Sequence, residues 1–403
     1  MRTVQEAIQH LIAPLQQTSS ENLPIQEVLG RVLAEDVIAT HDLPPFANSS
    51  MDGYAIIHAD LVSIPVTLTV IEDIPAGHHP MRTVQRGQAA RIMTGAPIPH
   101  GADTVVPVEY TGNERHTPDV PTTVTIQRAV SYGSNIRAAG EDVKQGEVVL
   151  RAGRRLRAAD IGILAGLGYS TANVHKRPVI AILSTGDELL TPEQPLQLGK
   201  IRDMNGYTLP ALVQTFGGKA LSLGIVRDTK EDVRQKFSEA LEQNPDLIVS
   251  SAGVSVGAFD VVKAVLEEMG QLEFWKVNMR PGKPLTVGQI ERVPFIGLPG
   301  NPVSAMVTFM VFVRPMIAKM LGQSTDMPTQ NVIAGEIIES DGRMTFARVR
   351  LVHENGQTRA YLTGTQSSGA ISSLVKADAL LIIPSGTKRI EEGEIAQVWP
   401  LDV

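Results

Sequence analysis

The chain has 403 residues, a mass of 43.4 kDa and a formal net charge of −7, from 36 Lys and Arg against 43 Asp and Glu. A length of this order predicts about two to four domains with sizeable cores, and the acidic balance, with no Lys/Arg-rich run, argues against nucleic-acid binding. With no cysteine, disulfides, thiolate catalysis, Fe–S clusters and Cys-ligated zinc are excluded, and nine scattered His residues make a His-rich metal site a poor fit.

At the N-terminus, Thr3 and Glu6 match a capping box, and Val4, Ala7, Ile8, Leu11, Ile12 and Leu15 follow at helical spacing. The segment lacks an apolar h-region and a small-residue cleavage site, so it reads as an amphipathic helix of a cytoplasmic protein. Residues 21–134 are rich in Pro, Thr and Val. Alternating runs at 66–71 and 122–126 predict a β-rich domain there. Within it, residues 44–55 (PPFANSSMDGYA) form a long irregular segment, and such loops often carry function. Helical spacing returns at 140–142 and 154–168, through Leu156, Ile161, Leu164 and Leu167. This predicts a discontinuous helical domain, 1–20 with 135–177, in which the second helix packs on the first.

From residue 178 to 325, buried-type strands (179–183, 221–226, 246–250, 295–298) alternate with amphipathic helices, including 207–216 and one capped by Thr229. That rhythm predicts a doubly wound, mostly parallel α/β domain. The longest apolar run, 305–313, is too short to span a bilayer and meets Arg314-Pro315, so no membrane is expected. Residues 326–403 return to strands and turns (347–352, 359–362, 380–383, 395–399). They predict a small C-terminal β-barrel or sandwich.

In open α/β sheets, ligands bind beyond the carboxyl ends of the strands. Five such ends carry polar chemistry: 184–188 (STGDE), Arg227-Asp228, 250–257, 280–284 and 297–304. The run KVNMRPGKP at 276–284 holds Lys276, Arg280 and Lys283, while GLPGNPVS at 297–304 offers backbone N–H groups at a helix start, where the dipole favours an anion. Asp187, Glu188, Asp228 and Asp260 fall among the same loops. They read either as helix caps or as a Mg²⁺ site, since Mg²⁺ takes one or two carboxylates plus phosphate oxygens. Gly253-Val254-Ser255-Val256-Gly257 matches the G-x-S-x-G of a hydrolase elbow. However, the only His after Ser255 is His353, deep in the β-rich tail. No G-x-x-x-x-G-K-[ST] occurs.

Taken in order, PPFANSSMDGYA, RIMTGAP, STGDEL, SSAGVSVGAFD, NMRPGKP and GLPGNPVS resemble the MoeA family of molybdopterin molybdenumtransferases, with the gephyrin E domain and the plant molybdenum insertase among its eukaryotic relatives. The resemblance covers essentially the whole chain. It implies an enzyme that inserts molybdenum from molybdate into adenylylated molybdopterin and releases AMP, with Mg²⁺ required. It implies four domains: a helical linker, a protruding β-rich domain, an α/β domain like the molybdopterin adenylyltransferases, and a C-terminal β-barrel. It further implies a homodimer with composite sites and transient contact with other proteins of molybdenum cofactor biosynthesis. A tungstate-handling paralogue, a Ser255 hydrolase and a non-enzymatic scaffold are the alternatives.

Carried over by motif, the resemblance assigns Asp228 and Asp260 to the metal and Asp187, Ser255, Arg280, Lys283, Ser304, Arg348 and Ser368 to substrate. Catalytic roles fall to Asp52, Thr94, Asp142, Glu188 and Lys276, with Asp52 and Thr94 reaching the site across a dimer interface. Three positions depart from the family pattern. Arg280 stands where Lys is usual, Ala258 where an acid is common and Ala252 where Gly is frequent. The first replaces a compact ammonium with a planar fork.

Overall fold

The structure, a computed structural model, describes residues 1–112, 119–251, 264–265 and 268–401. Ser255, Asp260, Ala252 and Ala258 lie outside the described residues.

A six-stranded sheet forms the centre of the α/β domain, in the order Lys219–Val226, Val179–Thr185, Leu247–Ser251, Val293–Leu298, Pro284–Ile290, Gly270–Lys276. The first four strands are parallel, and the last two add as an antiparallel hairpin. Helix Lys230–Glu242 starts where the Thr229 hydroxyl accepts the Asp232 N–H at 3.2 Å. It buries Val233, Phe237 and Ala240 on one stripe, with Phe237 edge-on to Phe295 at 5.9 Å.

The helix after Gly297–Ser304 is longer than the apolar run suggests. It passes Arg314-Pro315 and ends at Met320, because one π-helical turn, Phe309–Val313, precedes the proline and absorbs its missing donor. From Pro302 to Met320 it is long and apolar enough to cross a membrane, but 89% of its apolar window is buried inside the protein. It is a core helix.

The capping box forms as expected: the Glu6 carboxylate accepts the Thr3 N–H at 2.8 Å and the Thr3 hydroxyl accepts the Glu6 N–H at 3.2 Å. The helix it starts, Val4–Ile12, packs elsewhere than expected. Its stripe of Val4, Ala7, Ile8 and Leu11 joins the α/β core beside Met316, Ile317 and Trp275. The Arg2 guanidinium stacks 4.2 Å over Trp275, and the Arg2 backbone pairs with Val277. The second helix, Ala158–Gly166, packs instead with Ile25, Val28 and Leu33. Strand Ser20–Pro24 pairs with Thr171–His175 and Val37–Ile38 with Val148–Leu150, so residues 20–43 associate with 143–175 rather than with the β-rich sheet. A period-2 pattern marks a strand but leaves its partner open.

The β-rich module is a five-stranded sheet in the order Thr104–Pro107, Gly53–Ile56, Gln88–Ile92, Val66–Ile74, Thr123–Ile126. Residues 44–55 are less irregular than expected, since Asn48–Ser49 pairs with Ile136–Arg137 and Gly53–Ile56 enters the sheet. In the C-terminal domain, strands Met344–Glu354, Gln357–Leu362, Gln330–Ala334, Ile395–Pro400 and Ala379–Ile383 close a five-stranded barrel.

Candidate active site

All four parallel strands of the α/β sheet end on one edge. The hairpin strand Gly270–Lys276 runs the same way, so the turn at 277–283 reaches that edge too. Five of the predicted loop starts therefore share it. Side chains at this edge include buried polar atoms that lack a partner among the described residues: Ser184 Oγ, Thr185 Oγ1, Asn205 Oδ1, Asp228 Oδ1 and Thr286 Oγ1. Leaving such an atom unpaired costs about 1–3 kcal/mol each. Concentrated at one edge, they mark a surface built for a polar ligand.

One part of the edge is acidic. Gly186, at φ 146°, follows the strand Val179–Thr185, and a Cβ there would meet the Glu188 carboxylate at 2.5 Å. Asp228 lies two residues past the end of the neighbouring strand Lys219–Val226, and its N–H donates to Asp187 Oδ1 at 3.3 Å. Burial pushes the Asp228 carboxyl up, and the charges of Asp187 and Glu188 push it further. Among the described residues, no three His or acid side chains converge on a metal position. The fold thus favours the protonated form of Asp228, and its stability falls as pH rises through the raised value. Without divalent cations, Asp228→Asn should unfold at a higher temperature than the parent protein at neutral pH. The difference should vanish in acid, as thermal scans across pH will show.

The other part is cationic. The Val277 N–H closes the turn on Lys283 O at 2.8 Å, and Gly282, at φ 94°, lies against Thr308, where a Cβ would meet Cγ2 at 2.2 Å. Met279–Arg280 then leaves the sheet and pairs, in parallel, with Met344 and Thr345 of the barrel. Arg343 Nη1 donates to Met279 O at 3.1 Å. Asp341 lies 3.9 Å from Arg280, and hydrogen bonds from Arg343 hold its carboxyl down to about 2. Arg348 is buried; burial first, and the Arg280 charge second, bring its guanidinium down to about 10. Lys276 and Lys283 are exposed, and no ion pair holds Lys283 among the described residues.

The barrel is tied to this edge through Ser368. Its Oγ accepts from Asn301 Nδ2 at 3.2 Å, and its carbonyl accepts the Val303 N–H at 3.1 Å. Arg348 braces the same loop by donating from Nη2 to Thr365 O at 3.3 Å and Ser367 O at 3.1 Å, and from Nε to Ser373 Oγ at 3.1 Å. Ser304 is buried at the start of the core helix.

Asp187, Glu188, Asp228, Lys276, Arg280, Lys283, Ser304, Arg348 and Ser368 thus stand on or against the one edge. Asp52, Thr94 and Asp142 do not. Half-buried Asp52 and exposed Thr94 pair with each other on the β-rich module, where Asp52 Oδ1 accepts the Thr94 N–H at 2.7 Å and hydroxyl at 2.8 Å. Exposed Asp142 lies at the joint below, its N–H on Leu43 O. The hydrolase alternative loses its base: His353 is exposed on strand Met344–Glu354, about 27 Å of strand beyond Thr345.

Sequence reasoning missed Asn205 and Asp203. Buried Asn205 donates from Nδ2 to Ser251 Oγ at 2.6 Å and Gly300 O at 2.7 Å, joining two of the edge loops. The signal was a polar pair at a helix start, which reads equally as a cap.

Three family models match the chain: MoeA N-terminal region (domain I and II) over residues 2–168, Probable molybdopterin binding domain over 181–319, and MoeA C-terminal region (domain IV) over 331–401. The chain is 38% identical to the molybdopterin molybdenumtransferase of Haemophilus influenzae, over 96% of this chain and 95% of that one. It is 37% identical to molybdopterin molybdenumtransferase 2 of Mycobacterium tuberculosis, over 100% of both. The crystal structure of the molybdopterin biosynthesis MoeA protein from Pyrococcus horikoshii superposes with a TM-score of 0.83 at 32% identity, covering 99% of each chain.

Proposed function

Because the chain belongs to the MoeA family, we propose that it inserts molybdenum from molybdate into adenylylated molybdopterin and releases AMP in molybdenum cofactor biosynthesis. The observation that carries the reading is the pairing of charge sets at one sheet edge: Asp187, Glu188 and Asp228 on one side, Arg280, Lys283 and Arg348 on the other. A pyrophosphate substrate that binds with a divalent cation, beside a tetrahedral oxyanion as the second substrate, asks for both signs together.

The acid side fits a divalent cation. Among the described residues Asp228 keeps a buried oxygen without a partner, and burial with the Asp187 and Glu188 charges raises its carboxyl, a cost that a cation would offset. Asp228 with Asp260 would hold Mg²⁺, which supplies charge neutralisation at the pyrophosphate. Arg280 and Lys283 would bind molybdate oxygens. Charge-assisted bonds of this kind contribute about 1.5–3 kcal/mol each. Ser304 would lend its helix-start N–H, and Arg348 with Ser368 would hold the barrel loop against the pocket.

Asp52 and Thr94 stand on a module away from this edge, so they would complete the pocket of a second subunit in a homodimer. Their mutual hydrogen bonds pre-orient the Asp52 carboxylate.

Lys283→Ala is the direct test. With Lys283 gone, the molybdate concentration for half-maximal insertion should rise at least tenfold, or about 1.4 kcal/mol. An unchanged molybdate dependence places the oxyanion elsewhere.

A further inference from the structure

A cavity of about 430 Å³ opens beside the acidic turn, between strands Val179–Thr185 and Lys219–Val226 and the helix Asn205–Thr215. Its size lies within the range of small-molecule sites, roughly 300–1,000 Å³. Ile182, Pro210 and Ile225 give it apolar walls, Tyr207 stands at its mouth, and Ser184 and Asp203 supply its polar groups.

Asp203 is the unusual member. Its residue is 7% exposed, and no ion pair holds it among the described residues. Oδ1 accepts the Gly206 N–H at 2.9 Å. Oδ2 lies over the Gly206 Cα, where a Cβ would meet it at 2.3 Å and Ser184 Oγ at 3.3 Å. Only glycine leaves room for both groups. Ser184 Oγ is itself buried without a partner among the described residues. A carboxylate sunk in a pocket without a cation is costly unless a ligand brings donors to it.

We propose that this cavity takes the pterin ring, with Asp203 reading the ring's adjacent N–H and 2-amino donors as a carboxylate reads a guanidinium. The inference rests on the proposed function above, and adds to it where the bicyclic ring sits and which residue selects it. The strand leading from Ser184 continues into Gly186-Asp187-Glu188, so a ring in the cavity would direct its substituent toward the acidic and cationic loops. The role of Asp203 is specificity: it excludes rings that present a carbonyl in place of the amino group.

The probes are 6-hydroxymethylpterin and its 2-oxo analogue, 6-hydroxymethyllumazine, neither of which carries phosphate or dithiolene. Titration by intrinsic fluorescence should show the full-length protein preferring the pterin at least tenfold. Asp203→Asn keeps a side-chain oxygen for the Gly206 N–H, so the helix cap survives while the carboxylate is lost. It should bind the pterin at least tenfold more weakly and show little preference between the two rings, with AMP and molybdate affinities unchanged. Ala211→Trp, exposed on the cavity-lining face of the helix, should also block the pterin by filling the space. Pterin affinity unaltered in both variants, or absent in a parent protein that binds AMP and molybdate, overturns the inference alone. A parent protein that binds neither AMP nor molybdate overturns the proposed function itself.

Discussion

Asp228→Asn should lower Mg²⁺-dependent AMP release by at least ~10²-fold, equivalent to about 2.7 kcal/mol, while the protein stays folded. The expectation follows from the setting of Asp228: a buried Oδ1 without a partner among the described residues, a carboxyl pushed up by burial, and Asp187 and Glu188 adding like charge. An amide relieves that repulsion yet offers a cation no charge. The variant that gains thermal stability is thus the one that loses activity, a trade expected where a site stores unfavourable charge. Asp260→Asn should behave alike if both carboxylates hold one ion. Single-turnover AMP release against Mg²⁺ concentration decides the matter, and normal Mg²⁺ dependence in both variants would remove the metal from this edge.

The other large effect is restoration rather than loss. Asp52→Ala and Asp228→Asn proteins, each inactive, should regain activity when their subunits are exchanged. In a mixed dimer, one composite site carries both lesions and the other carries neither. Random exchange makes half the dimers mixed, with one good site of two, so recovery should approach about a quarter of the parent activity. The geometry behind this is the separation of the residues in the chain: Asp52 and Thr94 bond to each other beside strands Gly53–Ile56 and Gln88–Ile92 of the β-rich module, whereas Asp228 follows strand Lys219–Val226 of the α/β sheet. Mixed dimers verified by mass spectrometry but devoid of activity would mean that each site is completed within one subunit.

The sequence by itself determined most of the elements and the placing of charged residues at the strand ends. Strands at 179–185, 247–251 and 293–298 follow from buried apolar runs, whereas 219–226 is an edge strand buried only at Val226, and the Thr3 and Thr229 caps follow from side chains that bond three residues ahead. These are local effects, settled by neighbours in the chain. The clustering of acids and cations at loop starts was legible for the same reason, since parallel strands put their carboxyl ends on one edge. Only the tertiary structure decided what each apolar face covers. Helix Val4–Ile12 has a stripe that any core would accept, and it docks on the α/β domain beside Trp275 rather than on Ala158–Gly166. Residues 20–43 find strand partners more than a hundred positions later. Helix Pro302–Met320 could pass for a membrane span, and its burial among the core side chains decides otherwise. Asp203 and Asn205 were ambiguous for the same reason. A polar residue at a helix start is a cap in the sequence, and only a cavity on one side and two loops on the other turn it into part of a site. Periodicity encodes that a face is apolar or a carboxylate is poised, while partner choice depends on the shape and burial of surfaces far apart in the chain.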